Sequence, residues 1–150
     1  MSENKSQSEI PTLTVIALAA GKGTRMKSPL PKVLHPVAGR PMIEKVIFAS
    51  KKAGAKEVRV IVGHGQALVR QVVEPMGVTC FEQKEQLGTG HAVRCANIDE
   101  LDGHVIIMNG DHPLIEESDI KDFYSQFKDQ RCDLAVVTAR LKNPAEFALS

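Results

Sequence analysis

The chain has 150 residues, room for one domain of ordinary size and not for two. Its hydrophobic share of 43% supplies a core, and 19 basic against 18 acidic side chains leave a net charge of +1. That balance excludes a uniformly basic nucleic-acid binder and a polyacidic tail protein, and five Phe, one Tyr and no Trp leave little to stack single-stranded nucleic acid on.

Cys80, Cys95 and Cys132 share no close spacing, so reduced, mostly buried thiols fit better than a zinc site or a disulfide framework. No stretch is apolar for the ~18 residues a membrane span needs. The polar start, with Glu3 and Glu9, is not a secretory signal. A cytoplasmic protein follows by elimination.

Taken in chain order, residues 1–10 lack periodicity and are expected to form a disordered tail, with one domain over 11–150. Residues 12–18 (TLTVIAL) form a short β-branched run that suits a strand buried on both faces. A turn-rich loop, 19–31, follows. Pro41 can open a helix with Ile43, Val46 and Ile47 as its apolar stripe and Gly54 as its stop.

The alternation then repeats. Strands are expected at 57–62, 78–81, 103–108 and 133–139, with helices at about 66–74, 89–98 and 116–128. The last helix carries Ile120, Phe123, Tyr124 and Phe127 at helical spacing, a core stripe. Five strands alternating with four helices predict an α/β fold, a Rossmann-like, doubly wound and mostly parallel sheet with helices on both faces. Its ligands belong beyond the carboxyl ends of the strands, where strand order reverses. Only eleven residues follow the last strand, so the sheet is either minimal or the front part of a larger domain.

Three segments carry candidate chemistry. The first is Leu18-Ala19-Ala20-Gly21-Lys22-Gly23-Thr24-Arg25-Met26, with Pro31-Lys32 downstream. Its glycines let successive backbone N–H groups turn toward an anion, and Lys22, Arg25 and Lys32 add charge. Residues 10–43 hold five basic residues, Lys27 and Arg40 among them, and no acid. GxxxxGK[ST] is absent, and GKGTRM lacks the third glycine of the dinucleotide fingerprint.

The second segment is 82–92, EQKEQLGTGHA. Gly88 and Gly90 permit close approach, Thr89 can cap the next helix, and Gln83 can read the edge of a base. His91 suits a structural or supporting role better than catalysis. The third is Asn109-Gly110-Asp111-His112-Pro113-Leu114, where an Asp directly after a buried strand is placed to hold a hard divalent cation. His64 shapes a rim loop, His35 suits a structural role, and no Ser-His-Asp arrangement stands out around Ser28.

Together LAAGKGTRM at 18–26, PKVLH at 31–35, QLGTGHA at 86–92 and NGDHPL at 109–114 resemble the sugar-phosphate nucleotidyltransferase family. KVLH with EQLGTGHA points to the uridylyltransferase domain of the bacterial bifunctional branch that acts on N-acetylglucosamine 1-phosphate. The resemblance runs from about Leu13 to Pro144. It implies that Leu18, Ala19, Ala20, Gly21, Lys22 and Gly23 cradle the nucleotide, and that Arg25 and Lys32 neutralise the triphosphate and serve catalysis. It implies uracil recognition by Gln83, Gly88 and Thr89, a sugar side at Asn109 and Gly110, and Mg²⁺ on Asp111.

The implied reaction is attack of a sugar-1-phosphate oxygen on the α-phosphorus of UTP, giving UDP-N-acetylglucosamine and pyrophosphate. Its partners would be UTP and N-acetylglucosamine 1-phosphate, with a downstream half or a second copy as a possible associate. The nucleophile is already an anion, so aligning two polyanions matters more than a strong base. The chain departs from the family at Asn109, where Tyr is frequent, and at 144–150, which lack a Gly-Tyr-Gly-Arg-like segment. The family's sugar-binding half, a second metal-binding Asn and the acetyltransferase domain have no counterpart in the chain, so a non-catalytic nucleotide-binding or interaction module is the alternative. A nicotinamide oxidoreductase fits poorly without the third glycine or an acid after the second strand.

Overall fold

The β-branched run near the start forms strand β1 (Leu13–Ala19), with Val15, Ile16 and Ala17 wholly buried. In the computed structural model, residues 11–21, 23, 26–63 and 66–140 are described. The expected tail, Lys22, Arg25, His64 and residues 141–150 lie outside them.

After a 3-10 turn at Lys32–Leu34, β2 (Pro36–Val37) and β3 (Arg40–Pro41) make a small antiparallel hairpin. The sequence reading missed it, because a two-residue strand shows no alternation. Helix α1 (Met42–Lys52) leads to β4 (Glu57–Gly63), and α2 (Ala67–Val73) leads to β5 (Thr79–Gln83). Then come α3 (Thr89–Arg94), β6 (His104–Asn109) and α4 (Glu117–Gln130). A reciprocal capping box starts α4: Glu116 N–H donates to Asp119 Oδ2 at 2.8 Å. Helix α3 ends four residues earlier than the expected Ile98, since Asn97 takes a left-handed φ of 52°.

The main sheet has the order β5-β4-β1-β6, all parallel. The chain steps outward from β1 to β5, then returns to β6 on the other side of β1. Strand order therefore reverses between β1 and β6, whose ends meet at the pair Leu18–Asn109. The α/β, Rossmann-like class is as expected.

The two faces of the sheet are filled differently. Leu13, Val15, Ala17 and Ala19 of β1 face a cluster with Val46 and Ile47 of α1, Val69 and Val73 of α2 and Ile120 of α4. Ile16 and Ala20 face the opposite way, toward Ala92 and Ala96 at α3. On that face Arg59 is 7% exposed, and its guanidinium donates to the carbonyls of Ala96 and Asn97 while pairing with Glu57. These bonds take up carbonyls orphaned at the end of α3 and satisfy a buried charge.

The expected strand at 133–139 is corrected. Residues 134–140 form no ladder, and Leu134, Val136 and Val137 are 80%, 72% and 75% exposed. A run of apolar, β-branched residues favours a strand only where a neighbouring strand accepts its hydrogen bonds, and this segment is not seated on one. Among the described residues no helix is long and apolar enough to cross a membrane.

Candidate functional site

The carboxyl ends of β1 and β6 open onto a cleft of 730 Å³, a size suited to a small organic ligand. Leu18, Ala19, Ala20, Gly21 and Gly23 line one side. Gln83, Gly88 and Thr89 line another, and Lys32, Asn109 and Asp111 complete it. Gly110, though expected at the sugar side, does not line the cleft, and neither do Gly90, His91 and His112. Lys22 and Arg25 are outside the described residues.

Close packing explains the glycine at 110. Its N–H donates to Leu18 O at 2.8 Å, and a Cβ there would meet Ile43 Cδ1 at 2.7 Å and Leu18 O at 3.0 Å. A side chain there would force the Ile43 side chain to move and crowd the Leu18 carbonyl beside Asp111. Gly23 combines a φ of +56° with backbone so near Lys32 that a Cβ would lie 2.8 Å from Lys32 Cβ. The glycine loop is thereby laid against the residue that supplies positive charge.

Two glutamines, unassigned in the sequence reading, brace this loop. Gln86 Nε2 donates to Ala20 O, and Gln66 Nε2 donates to Gly21 O at 3.5 Å. Gln66 also accepts from Gly63 N–H through Oε1, at 3.2 Å. Side chains from after β4 and after β5 thus hold carbonyls of the loop after β1. The sequence signal was slight: two glutamines flanking glycines at strand ends.

Lys32 and Asp111 meet at 2.6 Å across the cleft, with side chains 45% and 23% exposed. Such a part-solvated pair contributes only ~0–1 kcal/mol to stability, so it holds the charges in place at little cost to exchange. Asn109 Nδ2 and His112 Nε2 lie 3.4 Å apart, and His112 Nε2 is 3.9 Å from Asp111 Oδ1. Among the described residues no three His, Cys, Asp or Glu side chains gather as a metal cage.

Gln83, only 4% exposed, closes the other end of the cleft. Its Nε2 lies 3.1 Å from both Gly88 O and His91 Nδ1. His91 Nε2 in turn lies 3.9 Å from Cys95 Sγ. His35 Nε2 lies 3.3 Å from the carbonyl of Leu30, a structural contact within the loop. Away from the cleft, burial pushes the Cys80 thiol and the Tyr124 phenol up, and the hydrogen bond from Lys121 holds the Glu117 carboxyl down.

Known proteins share this sequence and shape. The MobA-like NTP transferase domain matches residues 15–148. The "Bifunctional protein GlmU" of Bdellovibrio bacteriovorus is 80% identical over 135 residues, covering 90% of this chain and 30% of that protein. Its namesake in Pelobacter propionicus is 47% identical, covering 88% of this chain and 29% of its own length. The chain thus spans about 30% of the length of these curated relatives.

Among solved structures, a nucleotidyl transferase from Methanothermobacter thermautotroptrophicus superposes with a TM-score of 0.67 at 22% identity, over 76% of this chain and 57% of that one. A UDP-glucose pyrophosphorylase complexed with UDP-glucose gives 0.62 at 17% identity, over 82% and 55%. These two show the fold, while the match over 15–148 shows the family. The chain belongs to the MobA-like NTP transferase domain family.

Proposed function

We propose that the cleft binds UTP and serves transfer of UMP to N-acetylglucosamine 1-phosphate, with release of pyrophosphate. The observation that carries this reading is the convergence at the switch point of three segments distant in sequence: the glycine loop, the Gln83–Thr89 segment and the Lys32–Asp111 pair. The choice of nucleotide and sugar rests on the resemblance carried by KVLH and EQLGTGHA in the sequence.

In this reading the glycine loop holds the phosphates, with Lys22, Arg25 and Lys32 offsetting their charge as pyrophosphate departs. Leu18 to Gly23 form the cradle, and Gln83, Gly88 and Thr89 meet the base. The sugar phosphate approaches from the side of Asn109, with Gly110 keeping β6 against β1. A phosphate oxygen attacks the α-phosphorus, the bond to pyrophosphate breaks, and no general base is needed because the nucleophile is already ionised.

Asp111 is the residue that would hold Mg²⁺. One carboxylate at the cleft, with the remaining ligands from phosphates and water, is a donor set this ion accepts. Bound there, the ion supplies charge neutralisation to the phosphates. In the free protein Lys32 and Asp111 neutralise each other, and the weakness of that pair lets an incoming anion and cation take one partner each.

The test is calorimetric binding of UTP with Mg²⁺, followed by pyrophosphate release with sugar 1-phosphates. Lys32→Ala and Asp111→Ala should each weaken binding by roughly ten- to a hundredfold, as loss of a charged hydrogen-bonding partner implies. Unchanged affinity in both would overturn the reading. A nucleotide-binding or protein-interaction module without turnover is the second reading, favoured by the exposed apolar side chains of Ile107, Leu134, Val136 and Val137. Binding without Asp111-dependent pyrophosphate release would establish it.

A further inference from the structure

Gln83 has a side chain whose two ends are chemically opposite: an amide NH₂ that donates and a carbonyl that accepts. Which end faces a ligand decides which base edge it can read. Two neighbours fix that choice. Gly88 O is a carbonyl and can only accept, so the nitrogen of the amide must face it, at 3.1 Å.

The same nitrogen lies 3.1 Å from His91 Nδ1. With one amide proton on Gly88 O, the second points at the imidazole, and Nδ1 must be the bare, accepting nitrogen. The ring proton then sits on Nε2, beside Cys95 Sγ at 3.9 Å, a weak acceptor. Both amide protons are consumed inside the protein. Oε1 remains, on a residue that lines the cleft, and no donor among the described residues reaches it.

We infer that His91 is a positioning residue that locks the Gln83 amide with only its acceptor available to the cleft, selecting bases that carry an N–H donor on the edge they present. Uracil and thymine have such a donor at N3, whereas cytosine has an acceptor there and would face Oε1 lone pair to lone pair. This rests on the proposed reading of the cleft as a nucleotide site. It adds the origin of the base preference, placed on a residue whose ring lies behind Gln83.

The test compares UTP and CTP binding, each with Mg²⁺, to the full chain and to His91→Leu and His91→Asn, with circular dichroism confirming that each is folded. The unaltered chain should prefer UTP by on the order of tenfold, the worth of one net hydrogen bond. His91→Leu removes the acceptor and should bring the ratio close to one. His91→Asn offers its Oδ1 near the place of Nδ1 and should restore most of the preference, which a merely space-filling role would not require.

A preference undiminished in His91→Leu, or lost equally in His91→Asn, overturns the inference and leaves the proposed function standing. An unaltered chain that does not prefer UTP overturns the proposed function and the inference with it. Should His91→Leu fail to fold, nitrogen-15 spectra of the unaltered chain decide: a proton on Nε2 supports the lock, and a proton on Nδ1 overturns it.

Discussion

The two faces of the sheet are held by different forces. On one, α1, α2 and α4 seal β1 with Val46, Ile47, Val69 and Val73 fully buried and Ile120 nearly so. On the other, the six-residue α3 is the helix packed against Ile16 and Ile61, and Ile107 is left 46% exposed. Apolar burial dominates the first face; a buried arginine and a glutamine–histidine contact tie down the second. The base-facing end of the cleft belongs to the thin face. Specific polar contacts hold a binding surface in one geometry without the deep core that only the other face possesses.

Substitutions can break this contrast. The largest effect is expected from Ile47→Ala on the sealed face, a loss of about 2–5 kcal/mol in urea unfolding. Arg59→Leu should cost less, about 1–3 kcal/mol, because it strands the Ala96 and Asn97 carbonyls. Its signature is local: amide exchange in α3 should quicken while that in α1 holds steady. Equal quickening in both helices would show that the faces are not separable.

Ile107→Thr on the open face should move stability by no more than about 0.5 kcal/mol. A loss comparable to that of Ile47→Ala would mean that Ile107 is covered in solution.

The sequence disclosed the strands where apolar residues run continuously and glycines or prolines mark the ends. β1 and β4 were legible because burial on both faces makes them uniformly apolar. The segment 133–139 has the same local character and failed as a strand, since pairing is a property of a neighbour and not of the segment. The cleft was legible in Gly21, Gly23, Gly88, Lys32 and Asp111, which the fold brings together around it. The bracing by Gln66 and Gln86 was not, because a glutamine that donates across 45 or 66 residues looks in sequence like any solvated polar residue. The inward turn of His91 was hidden for the same reason.

The bond from Gln86 to Ala20 also has a meaning in time. Its partners are 66 residues apart, so a chain emerging at about 5–20 residues per second completes the glycine loop roughly 3–13 s before the side chain that braces it exists. Until then the first signature of the site lacks one of its two glutamine braces. Nucleotide capture should therefore wait until β5 and its following loop have docked, making ligand affinity a reporter of that docking and not of the glycine loop alone.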